Sequence, residues 1–112
     1  MKRYGWVIGL KEEKIEEYKK LHAAVWPEVL NMISECHITN YSIYMRKLPD
    51  GKYYLFSYLE YTGKDFEADS AKMAADEMTQ KWWDMCMPCQ EPLKNRAEGQ
   101  WWADMEEVFH CD

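Results

Sequence analysis

The sequence carries no basic excess. Against 20 Asp and Glu stand 14 Lys and Arg, a formal net charge of −6. A chain so charged cannot displace counterions from phosphate along a nucleic acid, so nucleic-acid binding is not expected. Anionic membrane surfaces are disfavoured for the same reason. No run approaches the about 18 continuous apolar residues of a membrane span. The start, Met-Lys-Arg-Tyr-Gly-Trp, is briefly basic but has no apolar signal core, and a soluble cytoplasmic protein is expected. Glycine is scarce, with 5 residues. There is no Gly-rich phosphate loop, no nucleotide fingerprint, no G-x-S-x-G and no H-E-x-x-H. The four cysteines, Cys36, Cys86, Cys89 and Cys111, form no secreted disulfide framework. Cys86-Met-Pro-Cys89 lies at the C-terminal end of an expected helix, the wrong end of the dipole for a reactive thiolate. Ordinary buried or half-exposed thiols are the expectation, ahead of a redox pair or half a zinc site.

Aromatic residues are abundant: six Trp, eight Tyr and three Phe in 112 residues. This composition excludes disorder. The length fits one domain, residues 1–112, with a single modest core.

Residues 3–10 alternate, with Tyr4, Trp6, Ile8 and Leu10 on one face, and predict a strand. Residues 12–36 change to helical spacing through Ile15, Tyr18, His22, Val25, Val29 and Ile33. Pro27 disfavours helical geometry at Trp26, so the helix is expected to break and restart there. Residues 39–47 and 52–61 read as two strands joined at Pro49-Asp50-Gly51, a turn in which Pro presets φ and Gly accepts positive φ. Both faces of this hairpin are apolar or aromatic, so both are expected to be covered. Helices are expected over 64–75 and 77–87, broken near Asp76, then an aperiodic loop over 88–100 and a strand over 101–110. The order is β-α-β-β-α-β, a ferredoxin-like α+β fold with an antiparallel sheet and helices on one face. The apolar open face predicts a homodimer packed sheet to sheet, a dimeric α/β barrel.

His22 lies four residues after Tyr18 and four before Trp26, so the three share one helix face directed at the sheet. A histidine there is either a core residue satisfied by a neighbouring acceptor or a general acid/base in a cleft. Tyr41 and Tyr44 are polar-tipped aromatics that could share such a cleft. Trp82 and Trp83 are about 100° apart on a helix, so one can pack inward while the other lines an edge. An indole face suits the C–H face of a pyranose. Trp101-Trp102 repeats the pattern after the loop. Glu106, in the expected last strand, is a secondary candidate because an inward carboxylate needs a donor.

These residues resemble the L-rhamnose mutarotase family. The resemblance is carried by Glu17-Tyr18-x-x-x-His22-x-x-x-Trp26-Pro27-Glu28, by Asn40-Tyr41-Ser42-Ile43-Tyr44, by Gln80-Lys81-Trp82-Trp83 and by Met105-Glu106-Glu107-Val108-Phe109. The blocks span nearly the whole chain. The resemblance implies a dimeric ferredoxin-like barrel and an isomerase that interconverts the anomers of a 6-deoxy-hexose without metal or cofactor. It implies His22 as the acid/base and Tyr18, Tyr41, Trp82 and Trp83 as sugar contacts, with Trp26 secondary. The segment Pro88–Trp102 departs from the rhamnose-type pattern and looks more like an L-fucose-acting branch. The competing expectations are a haem-binding protein or cofactor-independent monooxygenase of the same barrel type, and a non-catalytic binding module.

Overall fold

A computed structural model describes all of residues 1–112. Its organising element is β1 (Lys2–Leu10), which pairs on both edges. On one edge lies β3 (Tyr53–Tyr61), antiparallel from Lys2↔Tyr61 to Leu10↔Tyr53. Outside β3 lies β2 (Ile38–Lys47), joined to it by the expected turn, with Gly51 at φ +84. The Asp50 carboxylate closes this turn by accepting from the Lys52 N–H and from the Tyr54 hydroxyl.

On its other edge β1 meets two short strands, β4 (Gln90–Glu91) and β5 (Ala103–Met105), both antiparallel. Sheet order is therefore β2-β3-β1, then β4 and β5 in tandem. This is the ferredoxin-like α+β arrangement with its fourth strand cut in two by the 92–102 loop.

The 101–110 strand expected from sequence is thus corrected to three residues. The ladder stops at Met105↔Gly5, leaving Lys2, Arg3 and Tyr4 of β1 without a ladder partner on that edge. Glu106 and the rest of the C-terminal tail carry no ladder. The bidentate Arg3–Glu107 ion pair, at 3.0 and 3.1 Å, holds the tail beside the sheet instead. β4 lies inside the stretch read as a loop, since two residues are too few to show alternation.

Four helices cover one face: α1 (Ile15–Ala23), α2 (Pro27–Glu35), α3 (Phe66–Ala75) and α4 (Glu77–Cys86). Lys11 leads into α1 through a 3₁₀ turn over Glu12–Lys14. Pro27 occupies the first turn of α2, as the chain restart at Trp26 requires. Asp65 caps α3 by accepting from the Ala68 N–H, and Asp76 caps α4 by accepting from the Thr79 N–H. Asp76 also ends α3, so one residue makes the break between the two helices.

The helices bury Ile8 and Leu10 of β1 and Leu55 of β3 against Tyr18, Val29, Trp82 and Cys86. Only 16 of 112 residues are buried, because much of the space between helices and sheet is cavity and the opposite sheet face is open. That open face carries Val7, Phe56 and Tyr58, by alternation with their buried neighbours, and Tyr44.

One irregularity sets the cavity side of β2. Residues Asn40 and Tyr41 together oppose a single β3 residue, a β-bulge, with Asn40 at φ 47. Asn tolerates this left-handed conformation better than a branched residue. The extra residue places both Ile38 and Tyr41 on the helix face, which strict alternation forbids. The Asn40 side chain donates to Glu60 at 2.7 Å across the bulge.

Gly9 is required by close approach rather than by φ. A Cβ there would lie 2.6 Å from the Glu91 carbonyl oxygen. Gly9→Ala is expected to destabilise the fold by about 1–3 kcal/mol, read from the urea midpoint; an unchanged midpoint would show that the β1–β4 edge yields freely.

Candidate active site

Between the helices and the sheet lies a cavity of about 650 Å³. It takes walls from β1, β2, β3, α1, α2, α3, α4 and the 92–102 loop. Tyr18, His22, Tyr41, Trp82 and Trp83 all line it. Sequence alone left open whether these residues meet; the fold brings them to one space.

His22 is the best-defined of them. Its Nδ1 lies 2.9 Å from the Tyr18 backbone carbonyl, one helical turn back. A carbonyl only accepts, so Nδ1 carries the proton and Nε2 keeps its lone pair. No protein group bonds Nε2, and no buried polar side-chain atom in the molecule lacks a partner, so Nε2 reaches accessible space. The ring stacks on Tyr18 at 4.1 Å between centroids and meets Trp82 edge-on at 5.3 Å. Burial among these rings holds the imidazole below its ordinary value of 6.5, partly opposed by the hydrogen bond to Tyr18. His22 is therefore neutral at pH 7, with a free basic nitrogen.

The two tyrosines are phenols rather than phenolates. Burial raises Tyr18 far above its ordinary range. Tyr41 is 42 % exposed as a residue, yet burial around its hydroxyl pushes it up to about 12, with a further contribution from the Cys86 thiol. Both can donate hydrogen bonds to a ligand at neutral pH.

The tryptophan pair divides as helical geometry requires. Trp82 is 6 % exposed and packs inward; Trp83 is 37 % exposed and forms a rim. Trp26 does not line the cavity. It meets Trp82 edge-on at 5.2 Å and supports it from behind. Glu106 is a correction. It lies beyond the end of β5, exposed and away from the cavity, so the inward strand position expected of it does not exist. Cys86 and Cys89 are buried, and burial pushes their thiols up to about 12 and about 11, the Cys89 Sγ also donating to Glu17 at 3.1 Å. That is the reverse of a reactive cysteine pair.

Among the further cavity residues, Gln90, Gln100 and Asp69 carried no signal in the sequence. Gln90 is buried and donates from Nε2 to the Tyr18 hydroxyl at 3.1 Å, while its Oε1 accepts from the Trp101 indole at 2.8 Å. Gln90 sits in an aperiodic stretch, and only the pairing Leu10↔Gln90 turns it inward. Trp6, Gln100 and Trp102 join from β1 and the loop. Asp69, from α3, lines the far end and accepts from the Tyr61 hydroxyl at 2.5 Å.

This fold and cavity define a ferredoxin-like α+β protein whose pocket is lined as a small ligand with hydroxyl groups and apolar faces would require. The hydroxyls would meet imidazole, phenols and amides, and the apolar faces would meet indole and aliphatic walls. The model of the L-rhamnose mutarotase family matches residues 3–111. Among curated proteins, the L-rhamnose mutarotases of Lactiplantibacillus plantarum and Phocaeicola vulgatus are each 35 % identical over 112 residues, covering 100 % of both chains. The crystal structure of an L-rhamnose mutarotase from Formosa agariphila superposes with a TM-score of 0.75 over 100 % of each chain at 21 % identity, a likeness of fold. The chain belongs to the L-rhamnose mutarotase family, isomerases acting at the anomeric carbon.

The lowered value of His22 links it to stability. The unfolded chain binds a proton near pH 6.5 and the folded chain only below that. The contribution of neutral His22 is full above pH 6.5 and is lost as pH falls through the lower folded value. The stability difference between wild type and His22→Asn is expected to move against wild type on acidification below pH 6.5, as followed by urea melts. A difference that stays constant with pH would show that His22 is not desolvated.

Proposed function

We propose that this protein interconverts the α and β anomers of a 6-deoxy-hexose, with His22 as the proton-transferring base. The observation that carries this reading is the unpartnered Nε2 of a neutral His22, held by the Nδ1–carbonyl bond among the aromatic rings of the cavity. The names of the relatives make L-rhamnose the first substrate to test. L-fucose is the second, because Gly99–Trp102 of the divergent loop line the cavity and a loop is where hydroxyl configuration is discriminated.

In this mechanism Nε2 takes the proton from the anomeric O1–H. The bond from C1 to the ring oxygen breaks, and the ring oxygen takes a proton from a phenol, for which Tyr18 is the nearest group to His22. The aldehyde rotates about its C1–C2 bond. The ring hydroxyl then attacks the other carbonyl face, returns its proton to the phenolate, and O1 regains the proton from imidazolium. No electron leaves or enters, so the chemistry calls for no redox cofactor. Tyr41 donates to ring hydroxyls, while Trp82 and Trp83 present indole surface to the sugar's C–H groups. The aliphatic side chains of Val29 and Ile33, also on the wall, suit the C5 methyl. The haem-binding and monooxygenase alternative, and the non-catalytic module, draw no support from the relatives.

The open sheet face supports a homodimer packed across β1–β3. Val7, Phe56 and Tyr58 stand on it, and the C-terminal tail leaves Val108 and Phe109 86 % and 79 % exposed. Such a surface is stable in water when covered. No helix of this chain is long and apolar enough to cross a membrane. A cytoplasmic location is consistent with four free cysteines.

Saturation-transfer proton NMR on equilibrated L-rhamnose and L-fucose tests the activity. Wild type is expected to exchange the α and β signals of at least one sugar. His22→Ala, if folded, should lose about 10²–10⁴-fold in rate. The wild-type rate should hold at neutral pH and fall on the acid side of 6.5, where imidazole is protonated. No exchange with either sugar would refute the reading. For the assembly, light scattering should give twice the 13.5 kDa chain mass, and Phe56→Arg should return it to monomer; a monomeric wild type would reject the interface.

A further inference from the structure

Gln90 is buried, 6 % exposed, and its amide is engaged at both ends. An indole N–H only donates, so the Trp101 contact fixes which end of the amide is oxygen. The amide nitrogen must then point at Tyr18. An amide nitrogen only donates, so the Tyr18 oxygen accepts. Its own proton cannot go to Gln90, and no other protein group accepts it. The remaining direction is the cavity, which Tyr18 lines with its ring stacked on that of His22.

We propose that Gln90, oriented by Trp101, is a positioning residue that commits the Tyr18 hydroxyl to donate into the cavity and steadies the oxygen as it gives up its proton. This assignment rests on the mutarotase reading above. It makes a chain of three side chains from the loop to the reacting atoms: the Trp101 N–H orients the amide, the amide orients the phenol, and the phenol serves the ring oxygen. Each link is set by which partner can only donate. The loop segment that ends at Trp101 therefore acts on chemistry as well as on access.

The test reverses one link. Gln90→Glu keeps the shape and still accepts from Trp101, but the ionised carboxylate cannot donate to Tyr18. The phenol then turns its proton to the carboxylate and away from the sugar. At about pH 7.5, kcat for the sugar turned over faster by wild type is expected to fall by about tenfold or more, with KM within about twofold. Protonating the introduced carboxyl restores a donor toward Tyr18, so the ratio of variant to wild-type kcat should rise as pH is lowered toward about 5.5, a range reached because burial raises such a carboxyl. A residue that only packs shows no such rise. Gln90→Leu should also lower kcat by about tenfold, with a pH-independent ratio, and Trp101→Phe should lower it less and add nothing in the Gln90→Leu background. If Gln90→Glu does not fold, the kcat and KM of Gln90→Leu decide. Wild-type kcat in the folded Gln90 variants, a change in KM alone, or a pH-flat ratio for a folded Gln90→Glu overturns the assignment while leaving the mutarotase reading intact. Absence of exchange in wild type itself overturns both.

Discussion

The double pairing of β1 is the constraint on which the rest depends. A strand laddered on both edges is fixed in register along its whole length, and here each partner delivers something to the cavity. From β3 come Ser57 and Leu59 on the inner face. Through β3, β2 is held so that its bulge presents Tyr41 inward. On the other edge, β4 turns Gln90 toward Tyr18, and β5 returns the chain so that Trp101 reaches Gln90. Gly9 permits the approach of β4 because it has no Cβ to meet the Glu91 carbonyl.

Aromatic packing keeps the space above the sheet from collapsing. Trp26 supports Trp82, Trp82 meets His22, and His22 stacks on Tyr18. Large flat side chains of this kind fill a wall without filling the middle. At the other end Phe66 lies flat on Tyr4 at 4.3 Å and meets Tyr61 edge-on at 5.0 Å. The cavity stays about 650 Å³ because its pillars are rigid rings rather than flexible chains.

The same packing sets the electrostatics. With no ion pair against His22, desolvation dominates and keeps the imidazole neutral. Desolvation also keeps Tyr18 and Tyr41 protonated. One neutral base beside neutral acids is the combination that the proposed proton transfers across a hemiacetal require. Hydrogen bonds then assign direction: the Tyr18 carbonyl selects the His22 tautomer, and the indole of Trp101 selects the orientation of Gln90.

Much of the architecture was legible in the residues themselves. The period of two in residues 3–10, the spacing of Tyr18, His22 and Trp26, the break at Pro27, the turn at Asp50-Gly51 and the stop at Asp76 are local signals, written by backbone sterics and by capping. They place His22, Tyr18, Tyr41, Trp82 and Trp83 on the correct elements and faces. The family motifs, equally local, lie in the same blocks. What local signals could not carry was pairing between distant segments. Gln90 has no periodic context; it comes to line the cavity only because Leu10 lies opposite it. Glu106 looked inward on a strand whose ladder with β1 ends one residue earlier, at Met105↔Gly5. Tyr41 faces the cavity together with Ile38 only through a bulge against β3. Local sequence decides which way a side chain points along its own element, whereas register between strands far apart in the chain decides what it points at, and that information exists only once the sheet has formed.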